Sequence, residues 1–386
     1  GVLAGGLAGG LARAQGIPVR SVEEAGDLGL YGAADFRLAQ GECKDCPTIP
    51  QALWYFRGDT ILVPRGKPAG FTREASMGDD LRAWLVAHPK GEPDTRPPLL
   101  WIGSPQVVDD VRMDEEARAL IAADGARLPM SLVPRIASNR SYFDASSARH
   151  FAGREVRVRG RLQEGKFEAR TLWPVDYDLR EDRLPLRPLR EGESLDALVR
   201  ADDRKADQPL EARVLWQRDR ERRLEVTGRP VIAFMLNGAQ GDDDEAHGGH
   251  FAVATGRFGE KGQWENWLVN NFYNLGSVSE KGIIASTLPM DAYMADLNSG
   301  QAWYRPSYML VAVLRADRVP AQFQQAIGRV YNHFYSQDFT YRHATANCAG
   351  ISIDTLRLLG WNIPRQGGDG RLKAVAALPY MAIKDL

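Results

Sequence analysis

Cys348 stands directly ahead of an apolar run in YRHATANCAGISIDTLRLLGW, and the segment HGGHFAVATG lies well upstream of it. A thiol at a helix N-terminus gains from the unpaired N–H groups and the positive end of the macrodipole, both of which favour thiolate over thiol. A histidine brought beside it would complete a nucleophile and base. His250 opens HFAVATG, where alternation puts His250, Ala252 and Ala254 on one strand face, and His247 in the preceding loop is the rival base. The other four of the six histidines are His343, His333, His88 and His150. Unpaired cysteine is also among the most buried residue types, so a structural thiol is the competing reading of Cys348.

The elements that must position this pair are legible as periodicities. Ile351, Ile353, Leu356, Leu358 and Leu359 predict a helix after Cys348 that is buried on more than one side, with Gly360 as its stop and Pro364 beyond. Phe323, Ile327, Val330 and Phe334 predict a helix over residues 320–336. ARVLWQRD, PVIAFMLNG, HFAVATG, NWLVNNF and YMLVAVLRA read as successive strands of the same domain.

Three features of this region resemble the circularly permuted papain-like thiol hydrolases. They are the strand-initial histidine of HFAVATG, a second strand ending in the polar pair of LVNN, and the dipeptide Asn347-Cys348 opening a helix. That superfamily includes permuted relatives of NlpC-type endopeptidases and the lecithin:retinol acyltransferase-like proteins. The resemblance covers residues 229–361 and implies an antiparallel sheet packed on a Cys-bearing helix. It implies Cys348 as nucleophile, His250 as general base and Asn270 or Asn271 as the third, orienting residue. The Cys348 N–H is the implied oxyanion donor. The DDDEAHGG insertion departs from the pattern, and no lipid-binding segment supports the acyltransferase branch.

Composition bounds the rest. A chain of 386 residues, 44% hydrophobic, buries a sizeable core and suggests several domains. Lys plus Arg at 49 against Asp plus Glu at 50 leaves a net charge of -1, so no global field draws the chain to nucleic acid. Beyond the first residues no apolar run reaches the length of a membrane span. Residues 1–14 read as a truncated signal peptide ending in Ala12-Arg13-Ala14, which implies a periplasmic or secreted protein, with a Gly/Ala-rich helix or a retained anchor as the alternative. In that compartment Cys43 and Cys46 of GECKDCP are most simply a local disulfide, leaving Cys348 as the odd thiol.

The expected fold class is α+β and multidomain. Residues 15–147 form an irregular α+β region, with strands at ALWYF and TILVPR and a helix over residues 114–128. Residues 148–208 form a small β-module and connection, for which an OB-type barrel is one possibility, with a short helix over residues 194–201. The arginines of EVRVRGRLQ lie there on a solvated strand face. Residues 209–386 form the catalytic domain.

Taken together, these features predict an exported cysteine hydrolase. It cleaves an amide bond through an acyl-thioester, on peptide or peptidoglycan-like substrates, without a cofactor. Two other classes remain open: a non-catalytic envelope binding protein, and a metal-dependent hydrolase built on residues 242–245, His247 and His250. The latter spacing matches no helical metal motif, so no metal is assigned. Trp264, Trp267, Phe272, Tyr273, Trp303, Tyr304 and Tyr308 are candidates for a substrate groove, although core packing is the commoner fate of such residues. Oligomeric state is not legible.

Overall fold

The computed structural model describes residues 12–14, 16–24, 26–136, 142–179, 186–200, 210–217, 225–238, 249–274, 282–303, 306–342 and 346–364. The expected leader lies largely outside these, and its last residues, Ala12–Ala14, pair antiparallel with the strand Ile17–Ser21. The architecture is mixed α+β with several sheets.

The amino-terminal region carries a three-stranded antiparallel sheet of β1 (Phe36–Gln40), β2 (Thr60–Pro64) and β3 (Leu100–Gly103). Between β1 and β2, the segment read as the strand ALWYF is instead part of helix α1 (Pro50–Tyr55). Pro50 at its first turn presets φ and lacks an N–H that would go unbonded there anyway. Helix α2 (Met77–Ala87) follows, capped by Ser76, whose side chain accepts the Asp79 N–H at 3.2 Å. The Cys43–Cys46 disulfide is formed, as expected.

Next in the chain, β4 (Gln106–Met113), β5 (Ala119–Ala122) and β6 (Arg127–Leu132) make a meander where residues 114–128 were expected to be helical. The Asp114 carboxylate accepts the Arg118 and Ala119 N–H groups at 2.7 and 3.1 Å, tying a turn in place of capping a helix. Helix α3 (Ala145–Phe151) leads to β7 (Glu155–Gln163) and β8 (Lys166–Pro174). Strand order β4-β5-β6-β8-β7, with β7 pairing back onto β4 and β6 parallel to β8, closes a five-stranded barrel. Its connectivity, with a helix between third and fourth strands, is that of the OB type. The barrel therefore draws strands from both sides of the boundary expected at residues 147 and 148.

Val156, Val158, Phe167, Ala169 and Leu172 fill the barrel, and Phe151 of α3 packs into the same core. The alternate residues of β7, Arg157 and Arg159, face outward but are 6% and 0% exposed. The solvated arginine face expected from alternation is thus a buried contact with the carboxyl-terminal part of the chain. Arg159 makes a bidentate pair with Asp291 at 2.8–3.1 Å, and Arg157 reaches Glu265 at 3.2 Å and Asn266 at 3.1 Å.

The short helix expected near residues 194–201 is α4 (Leu195–Arg200). Among the described residues, ARVLWQRD does not join the main sheet; Arg213–Val214 pairs with Arg187–Pro188, and Trp216 beyond it is 75% exposed. The carboxyl-terminal sheet instead consists of β9 (Pro230–Asn237), β10 (His250–Arg257), β11 (Leu268–Asn274), β12 (Ile283–Pro289) and β13 (Ser307–Val313). All pairings are antiparallel in the order β12-β11-β10-β9-β13. Four of these strands follow the expected segments, whereas β12 has no counterpart in the sequence reading. Gly256 is required in β10, since a Cβ there would sit 2.4 Å from the indole of Trp267.

Three helices complete this part. After β12 comes α5 (Met290–Ala295), followed beyond β13 by α6 (Arg318–Tyr335) and α7 (Cys348–Leu358). Phe323, Ile327 and Val330 of α6 are fully buried, at the positions the helical spacing marks. The sheet, α6, α7, α2 and the amino-terminal residues Phe56, Ile61 and Trp101 contribute to one core. No helix among the described residues is long and apolar enough to cross a membrane.

Candidate functional site

α7 begins where its cap allows. Asn347 is in extended conformation, and its side-chain oxygen accepts the Gly350 N–H at 2.9 Å, leaving Cys348 as the first helical residue. The helix is fully buried along the stripe Ile351, Ser352, Thr355 and Leu356, while Ile353, Leu358 and Leu359 are half-buried. It is therefore buried on one face, more narrowly than its apolar residues suggest. Gly360, at φ 90°, supplies the left-handed residue that ends it.

Strand β10 brings the histidine. His250 is its first residue, opposite Asn237 of β9, and its ring lies near enough to the Cys348 thiol to act on its ionisation. The Phe251 N–H and the Tyr341 hydroxyl also favour the charged form of the sulfur. Burial pushes this thiol up, but the charge and hydrogen bond of His250, with the donors Phe251 and Tyr341, outweigh it. The result is a lowering from 9.0 to about 7. The sulfur is thus a half-buried free thiol that ionises near neutral pH.

The third group is resolved by the pleat. Asn270 pairs with Val253 in the register of β10 and β11, so Asn271 projects to the opposite face, the one His250 shares with Ala252 and Ala254. The Asn271 side-chain oxygen bonds His250 Nε2. With Nε2–H donated there, Nδ1 is left as the acceptor of a thiol proton. Asn270 lies away from the thiol. Its oxygen accepts from Thr287 and Gln324 at 2.9 Å each, in a buried network that also holds Thr255.

Two side chains at this site carry no signal in the sequence. Tyr341 is set beside Cys348 by the bridge between Arg342 and Ala346, and its oxygen accepts the Cys348 N–H at 3.3 Å. The backbone donor expected for an oxyanion hole therefore points at this hydroxyl. Tyr293 of α5 lies with its ring 6.3 Å from that of His250, and its hydroxyl donates to Asn237. Tyr293 enters from a helix remote from Cys348 in the chain, which spacing cannot reveal; Tyr341 lies only seven residues before it, and the loop between them sets the contact.

The remaining candidates that the structure describes lie elsewhere. His247 and the acidic run at residues 242–245 lie outside the described residues, as do His343 and Tyr304. His333 is buried between Asp80, at 3.0 Å, and Asp338, at 2.9 Å. His88 bonds the Trp84 carbonyl at 3.2 Å, and His150 stacks edge-on against Phe151. Trp264, Trp267 and Phe272 are core residues, at 4%, 1% and 5% exposure, while Tyr273 and Tyr308 are half-buried. Among the described residues, one group brings metal-ligand atoms together, Cys43, Asp45 and Cys46, and its two sulfurs are spent in the disulfide. No protein-family model matches the chain, and no curated protein or solved structure matches it either.

Proposed function

We propose that the carboxyl-terminal part of this chain is a cysteine hydrolase of the permuted papain-like kind, cleaving amide bonds. The observation that carries the reading is the convergence of Cys348, His250 and Asn271, with the thiol drawn down to about 7. Cys348 Sγ attacks the carbonyl carbon as its proton passes to His250, held by Asn271 in the tautomer that can receive it. The Tyr341 hydroxyl and the Cys348 N–H that it accepts at 3.3 Å are the groups beside Cys348 that would stabilise the oxyanion. His250 then returns the proton to the departing amine, and water, deprotonated by His250, releases the acyl group from the thioester.

The Cys43–Cys46 disulfide fits an oxidising compartment, so cell-envelope peptides are the substrates this reading favours. Peptidoglycan stem peptides are amides of that kind.

Iodoacetamide labelling of Cys348 across pH tests the proposal. The half-maximal rate is expected at pH about 7. In His250→Ala the midpoint should move up toward the ordinary thiol value, so that labelling at pH 7 falls by at least about tenfold. A midpoint near 9 in the unmutated protein, or no shift in His250→Ala, rejects the nucleophile and base pair.

A further inference from the structure

We propose that Tyr293 is a positioning residue for His250, and that the barrel holds it in place through the buried Arg159–Asp291 pair. The inference rests on the reading of His250 as the base for Cys348, and it adds a role for the barrel.

Asn271 bonds one edge of the His250 ring and Cys348 acts on it as well, but a planar ring held only at its edges can still tilt. Tyr293 supplies the second restraint, with its ring 6.3 Å from the imidazole and tilted by 36°. Tyr293 is itself fixed at both ends. Its hydroxyl donates to Asn237, the residue opposite His250 in the β9–β10 ladder, and Asn237 donates to the Ser307 hydroxyl at 2.6 Å. Its backbone belongs to α5, two residues after Asp291.

Asp291 is where the barrel takes hold. Both its oxygens accept from Arg159 of β7, Oδ1 also accepts the Ala292 N–H at 2.8 Å, and both charged side chains are 0% exposed. A helix of six residues has little stability of its own. Its placement depends on such anchors, and this one comes from the barrel. A chain of contacts thus runs from Arg159 through Asp291 and Tyr293 to His250.

The pH profile of Cys348 labelling reads this coupling, because a thiolate depends on where the His250 charge sits, whereas a role in folding alone leaves the profile of the folded protein unchanged. Besides His250, the titratable groups acting on the thiol are Tyr341 and Tyr331. Tyr293→Leu, which fills most of the volume without a ring, is expected to raise the midpoint by about one unit and lower labelling at pH 7 by about tenfold. Tyr293→Phe keeps the ring but loses the bond to Asn237, and is expected to shift the midpoint by much less than Tyr293→Leu does. The double variant Arg159→Met/Asp291→Leu removes both buried charges together, so it folds without an orphaned ion, and is expected to raise the midpoint as Tyr293→Leu does. Folded Tyr293→Leu or folded double variant with an unshifted midpoint overturns the proposal, and so does a Tyr293→Phe that behaves as Tyr293→Leu. An unmutated protein with a midpoint near 9 instead rejects the underlying assignment of His250, which keeps the two failures apart.

Discussion

Asn270 and Asn271 are neighbours in the chain and strangers in space, because successive side chains of a strand leave opposite faces. Substitutions should separate them. Asn271→Ala removes the acceptor at His250 Nε2 and is expected to raise the Cys348 labelling midpoint. Asn270→Ala leaves Thr287 and Gln324 facing an empty site in the core. It is expected to lower stability by about 1–3 kcal/mol in urea titration and to leave the labelling midpoint in place. The sequence reading reached this asparagine pair through resemblance to a family pattern. Choosing between the two needed the register, set by Val253 opposite Asn270.

At the scale of the element, α7 shows how a cap and a nucleophile are joined. Asn347 both starts the helix and fixes where Cys348 lies, since its side chain takes the Gly350 N–H. Asn347→Ala is expected to cost about 1 kcal/mol by chemical denaturation. Asn347→Asp keeps a cap but adds a negative charge beside the sulfur, which disfavours thiolate and should raise the labelling midpoint. The helix boundaries of α6 and α7 were legible, because apolar residues recur at helical spacing and Gly360 marks an end. The segment at residues 114–128 carries similar acidic and glycine signals with a different outcome. There Asp114 bonds the backbone of Arg118 and Ala119, and the alternating residues after it join a barrel. Local signals for a cap and for a turn use the same side chains, and the partner strand decides between them.

The whole molecule is held by charges that composition would place on its surface. Arg159 and Asp291 are fully buried between barrel and sheet, and Arg329 and His333 of α6 close on Asp80 of α2. Burial alone pushes the Asp80 carboxyl up, but its bonds to Arg329 and His333 prevail and hold it below the ordinary carboxylate value. Arg159→Met by itself strands the Asp291 carboxylate and is expected to destabilise the protein by about 3–5 kcal/mol, whereas Arg159→Met/Asp291→Leu should be far less costly. Comparison of the two in urea titration checks this. A stable double variant with a raised labelling midpoint would assign the ion pair to positioning of the site and not to stability.

Residue types and local spacing were enough to mark Cys348 at a helix start, His250 at a strand start, and the Cys43–Cys46 pair as a local disulfide. These depend on neighbours within a few positions, where chain connectivity already limits geometry. Tertiary structure alone decided that Asn271 and not Asn270 meets His250, that Tyr293 joins the site, that β12 completes the sheet, and that Arg157 and Arg159 face another part of the chain instead of water. Each of these depends on which distant surface packs against a strand face. Alternation states only that a strand has two faces; what covers each is settled by strand order and by the burial that the rest of the fold imposes.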